Sequence, residues 1–141
     1  RLFGLKTVTF RYFNVYGERQ PTRGQYAPVI GLFKKQKDSG EPMTVVGDGL
    51  QTRDYTHVSD VVNANLLAAE SDNVGSGELI NIGAGKSYSV MDLVDMIGGE
   101  HVFIPPRVGE SRHTLADISR ANMLLNWYPK VTLEDWLKEN K

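Results

Sequence analysis

Cysteine is absent from the 141-residue sequence, which excludes disulfides, thiolate metal sites and a cysteine nucleophile. Histidine is scarce: His57, His101 and His113 lie far apart without metal-ligand spacing, so no metal site is expected. An excess of one charge is missing too. With 16 basic and 17 acidic side chains, the basic ones scattered, the chain lacks the electrostatic footprint of a nucleic-acid or membrane-surface binder. No apolar run approaches bilayer-spanning length and no leader pattern opens the sequence, so no membrane partner is expected and a cytoplasmic location is. What remains favoured is a small, non-polymeric ligand held by one compact domain of ordinary apolar content. Arg1 to Lys6 lead almost at once into a strand pattern, an abrupt start expected of a piece cut from a longer chain.

The stretch INIGAGKS, residues 80–87, invites a phosphate-loop assignment. It fails one. A P-loop needs glycine at the position of Ile80, and the dinucleotide fingerprint that Gly83 and Gly85 begin needs glycine where Tyr88 stands. A glycine turn leaving a strand is the expectation. Around it, strands are expected at Thr7–Tyr12, Met43–Val46, Thr52–Tyr55, Glu78–Ile82 and His101–Ile104, with residues 43–55 forming a strand–turn–strand unit about Gly47, Asp48 and Gly49. Helical patterns follow Pro28, run from Val58 to Ser71, start at Val90 behind a Ser89/Asp92 capping box, and recur near Ser119–Asn126 and after Thr132. Strands alternating with helices predict an α/β fold, with ligand-binding residues on the loops that follow the strands.

Those loops carry chemistry of one kind. Asn14, at a strand end, can both donate and accept hydrogen bonds, or simply cap a turn. Arg53 and Arg107 lie on separate loops, where two planar guanidinium groups can clamp a pyrophosphate; for Arg53 a surface ion pair is the competing assignment. His57, at a strand–helix junction, is expected to be structural, and His113 to lie near the ligand without chemical work.

RYFNVYGERQ (11–20), GDGLQTRDYTHVSD (47–60), NIGAG (81–85) and PRVGESRHTLADISRA (106–121) together resemble the carboxyl-terminal part of nucleotide-sugar epimerases and dehydratases in the extended short-chain dehydrogenase/reductase family, with UDP-glucose and UDP-N-acetylglucosamine 4-epimerases the nearest likeness. The resemblance runs over nearly the whole chain. It implies that residues 1–141 form the substrate-binding portion plus the last parallel strands of a Rossmann-type sheet, the NAD-binding half being absent. It places Phe13 beside the nicotinamide of NAD and Asn14 on the sugar diphosphate. Gln25 and Tyr26 supply a further nucleotide-sugar contact, the backbone around Thr44, Val45 and Val46 reads uracil, and Arg53 and Arg107 hold the diphosphate. Glu110 stands where many members have an aspartate bonding a ribose hydroxyl, and Thr114 lies against the substituent on the hexose C2. The NIGAG turn becomes a connection between sheet and substrate region.

The chemistry implied by the resemblance is reversible hydride transfer through a 4-keto sugar, helped by a tyrosine and a lysine four residues later. No tyrosine here has that lysine, and the glycine fingerprint is missing. No catalytic residue is therefore expected in this chain, which alone should be inactive. A stand-alone module binding a nucleotide-sugar or a protein without catalysis is the alternative. Without the other half, exposed strand edges are expected to drive self-association.

Overall fold

The computed structural model describes residues 3–22, 24 and 27–140. In chain order the elements are β1 (Thr7–Tyr12), β2 (Val15–Tyr16), α1 (Val29–Asp38), β3 (Met43–Val46), β4 (Thr52–Asp54), β5 (Thr56–His57), α2 (Val58–Glu70), β6 (Ser76–Ile82), β7 (Ser87–Ser89), α3 (Val90–Ile97), β8 (His101–Ile104), α4 (Ser119–Leu125) and α5 (Leu133–Glu139).

Two apolar clusters organise them. The first gathers Ile80 and Ile82 of β6, Val61 and Ala64 of α2, and Trp127 beyond α4. Its sheet is the parallel pair β1–β6, in which Phe10 sits opposite Ile80 and Tyr12 opposite Ile82. This is the α/β arrangement expected of the last strands of a parallel sheet. The second cluster collects Phe33 of α1, Met43 and Val45 of β3, Leu93 of α3 and Trp136 of α5. Here β3 pairs in parallel with β8, and β4 runs antiparallel to β7.

The expected strand–turn–strand unit forms, with the turn between β3 and β4, and each of its strands pairs with a different partner. β3 has the parallel edge of β8 available and β4 the antiparallel edge of β7, and the interior side chain Val45 drives the first union by facing the second cluster at 0% exposure.

Local sequence sets the helix ends. The Ser89/Asp92 capping box is present in full, with Asp92 N–H donating to Ser89 Oγ at 3.0 Å and Ser89 N–H to Asp92 Oδ2 at 2.7 Å. Each reciprocal bond satisfies an amide that the first helical turn leaves open. Thr132 caps α5 in the same manner through Asp135 N–H. His57 caps α2, its Nδ1 accepting from Ser59 N–H, and its ring packs edge-on against Tyr16. Among the described residues no helix is long and apolar enough to cross a membrane, and no three acidic or histidine side chains are grouped to hold a metal ion.

Candidate functional site

The glycine turn does wrap amides around an anion, and the anion is internal. Asp54, at the end of β4, is fully buried; its Oδ1 accepts from Ala84 N–H at 2.7 Å and its Oδ2 from Gly85 N–H at 2.9 Å and Ala116 N–H at 3.1 Å. Three backbone donors compensate the desolvated carboxylate. Gly83 permits the approach: a Cβ there would lie 2.2 Å from Ala116 Cβ and 2.9 Å from Asp54 Oδ2. One carboxylate thus joins the ends of β4 and β6 to the segment preceding α4.

Immediately before Asp54 the chain presents Arg53 to a cleft of about 430 Å³. The cleft opens between the start of α1, strands β3 and β8, and the loop after β8. Asn14, Thr44, Val46, Arg53, Arg107 and Glu110 all line it, so most of the predicted site converges from distant parts of the sequence. Val45 does not, because strand alternation turns its side chain into the core between Thr44 and Val46. Phe13, half-buried at the end of β1 with its N–H donating to Ile82, and Thr114 also lie off the cleft lining. Gln25 and Tyr26 fall outside the described residues.

Arg53 is poised rather than loose. Its Nη1 donates to the Thr52 carbonyl at 2.8 Å and its Nη2 to Glu110 Oε1 at 2.9 Å, with the arginine side chain only 14% exposed. The loop that carries Arg107 and Glu110 is fastened over β4. Thr52 N–H donates to the Arg112 carbonyl at 2.9 Å, Thr114 N–H to the Thr52 carbonyl at 3.1 Å, and His113 Nδ1 meets Thr52 Oγ1 at 3.1 Å. Arg112 adds a fork on Asp48, both bonds 2.7 Å long, which holds that carboxyl down at about 2. His113 therefore serves the loop, not the cleft.

The edge of β3 has a definite polarity. Thr44 N–H donates to Gln36 Oε1 at 3.1 Å, and the Val46 carbonyl accepts from Gln51 Nε2 at 3.0 Å, so both residues direct their backbone groups away from β8. The N–H and C=O of one strand residue point to the same side, so the Thr44 carbonyl and the Val46 N–H share that outward edge. Asn14 closes the other wall with a positive φ of 20°, its carbonyl accepting from Thr56 N–H at 3.3 Å.

Sequence reasoning missed Gln51, Ile104 and two tyrosines, Tyr16 and Tyr55, whose hydroxyls are buried without a partner among the described residues. Burial pushes both phenols above their ordinary range. Tyr55 had a signal, since it stands two residues after Arg53 in an extended segment and therefore on the same face.

Residues 1–83 match the model of the NAD dependent epimerase/dehydratase family. The UDP-glucose 4-epimerase of Mycolicibacterium smegmatis is 38% identical in a 128-residue alignment that covers 86% of this chain and 40% of that protein. The crystal structure of a UDP-glucose 4-epimerase from Thermotoga maritima, with UDP-glucose, superposes at a TM-score of 0.88 and 42% identity, covering 96% of this chain and 45% of the other. A UDP-N-acetylglucosamine 4-epimerase from Methanobrevibacter ruminantium, in complex with UDP-N-acetylmuramic acid, gives a TM-score of 0.88 at 36% identity over 97% of this chain and 45% of its own. The chain thus spans less than half the length of these relatives. The matched segment takes in β1 through β6 with Asn14 and Arg53, and sequence and backbone agree: the chain belongs to the NAD-dependent epimerase/dehydratase family.

Proposed function

We propose that this chain is the UDP-hexose-binding part of an NAD-dependent nucleotide-sugar 4-epimerase. The convergence of Asn14, Arg53 and Arg107 on one cleft beside the open edge of β3 carries this conclusion. Two guanidinium groups from different loops suit a diphosphate, and the Asn14 amide can bond the same group or the sugar beyond it. The Thr44 carbonyl and Val46 N–H offer one acceptor and one donor side by side, which complements the donor–acceptor edge of uracil. Glu110 can take a ribose hydroxyl. Relatives whose names specify UDP-glucose and UDP-N-acetylglucosamine support a UDP-sugar as the ligand.

The glycine turn does not offer a site for the pyrophosphate of NAD, because the Ala84 and Gly85 amides are already committed to Asp54. Phe13 is the one group proposed to lie against the cofactor. Hydride and proton transfer accordingly belong to an NAD-binding half packed against the exposed side of β1 and α2, where Tyr12, Val62 and Leu66 present apolar surface. Expressed without that cover, residues 1–141 are expected to self-associate.

The decisive experiment assays UDP-glucose and UDP-N-acetylglucosamine with the 141-residue chain alone and with the chain joined to its NAD-binding half. Conversion is expected only from the joined protein. Turnover by the chain alone would overturn the division of labour, and absence of any UDP-sugar binding by the joined protein would overturn the function.

A further inference from the structure

Glu110 occupies an unusual place for a cleft that is to receive an anion. Its carboxylate lies 2.9 Å from Arg53 Nη2, with 30% of its side chain exposed, and both residues line the cleft together with Arg107. Arg53 gives one Nη to the Thr52 carbonyl and the other to Glu110, so part of the guanidinium that an entering anion would need is already held by a carboxylate. Asp48, on the turn before β4, is paired with Arg112 and does not line the cleft. Arg107 is left as the second guanidinium of the cleft.

From this geometry we infer that Glu110 is a counter-ion gate that makes the cleft discriminate a nucleoside diphosphate from a bare diphosphate. The inference rests on the UDP-sugar function proposed above. A diphosphate that approaches Arg53 must share or displace the Glu110 carboxylate, and like-charge repulsion opposes it. Inorganic pyrophosphate gains nothing in return. A ligand that carries a ribose brings hydroxyl donors, so the displaced carboxylate exchanges one charged hydrogen bond for another and the opposition is offset. Specificity then comes from a repulsive element built into the site as well as from an attractive one.

The gate predicts opposite changes from one substitution. The complete protein and its Glu110→Gln and Glu110→Asp variants are titrated calorimetrically with inorganic pyrophosphate and, separately, with UDP, after thermal melts establish that each variant is folded. Glu110→Gln removes the charge at nearly constant shape, and is expected to tighten pyrophosphate binding by about fivefold, the scale of a partly exposed ion pair. The same variant is expected to weaken UDP binding by about fivefold, because a neutral amide accepts a hydroxyl less strongly than a carboxylate does. Glu110→Asp keeps the charge and should leave pyrophosphate binding weak. Shifts of one sign for both ligands, or no gain for pyrophosphate in Glu110→Gln, overturn the gate while leaving the functional proposal standing if the unsubstituted protein binds UDP. Failure of the unsubstituted protein to bind UDP overturns both.

Discussion

Replacing Asp54 tests the central joint of the molecule. In Asp54→Asn the best placement puts the amide oxygen where Oδ2 stands, which preserves acceptors for Gly85 and Ala116 N–H but turns an NH₂ group toward the Ala84 N–H that Oδ1 now accepts at 2.7 Å. One buried N–H is then unpaired and faces another donor, at about 1–3 kcal/mol, and the two surviving bonds lose their charge assistance. A total near 3 kcal/mol follows. Asp54→Ala orphans all three amides and should cost about 5 kcal/mol, a large share of the stability of an ordinary domain. Urea unfolding of the complete protein, followed by the fluorescence of Trp127 and Trp136, measures both losses through the midpoint at constant slope. The order expected is wild type, then Asn, then Ala. An Asn variant within about 1 kcal/mol of wild type would refute the assignment of the glycine turn as a carboxylate-binding joint.

Arg53→Ala in the complete protein should weaken UDP-sugar binding by about 3 kcal/mol, and Arg107→Ala, which is exposed, by about 1 kcal/mol, both read by calorimetry; unchanged affinity in both refutes the clamp. Thr114 lies off the cleft lining, so the part in sugar choice that the resemblance implies is tested by Thr114→Tyr in the complete protein: a selective loss of kcat/KM for UDP-N-acetylglucosamine supports it, and equal loss on UDP-glucose frees Thr114 of any such part. Glu134 gives a pH prediction. Burial acts to raise its pKa, but hydrogen bonds from Lys86 at 2.6 Å and Tyr88 at 2.5 Å prevail and hold it at about 2 against an ordinary 4.5. A depressed carboxyl stabilises the fold above its unfolded value, so the contribution should be complete above pH 4.5 and fade as pH falls toward 2. Urea midpoints across that range should fall less steeply in Glu134→Gln than in wild type.

What could be seen in the sequence was local or motif-borne. The capping box at Ser89, the cap at Thr132 and the β-branched run of β1 each depend on residues within a few positions, and each forms as expected. The partners of β3 and β4 depended on distant edges: β8 lies more than fifty residues beyond β3, and no local pattern specifies that union. β2, β5 and β7 are two or three residues long, too short to display alternation. In the site, Arg53 and Arg107 announced themselves by residue type, whereas the Arg53–Glu110 pair spans 57 residues and the amides around Asp54 carry no side-chain signature at all. The glycine turn lacks the phosphate-loop pattern, and nothing in the local sequence marks Asp54 as the carboxylate it binds.

The end of the chain has a role that its position does not suggest. Trp127 is fully buried in the cluster beneath β6 and Trp136 lies in the cluster around β3, and between them the buried carboxylate of Asp60 accepts from Lys130 and Val131 N–H, each at 3.1 Å. The Trp127 indole also donates to the Asp60 carbonyl at 3.0 Å. Residues 127–137 are therefore a second strap, beside the Asp54 joint, that ties the two clusters together. None of residues 127–137 lines the cleft, so the strap bears on the scaffold of the cleft and not on its surface. Shortening the chain here would strip buried side chains from both clusters at once, so each core would lose stability.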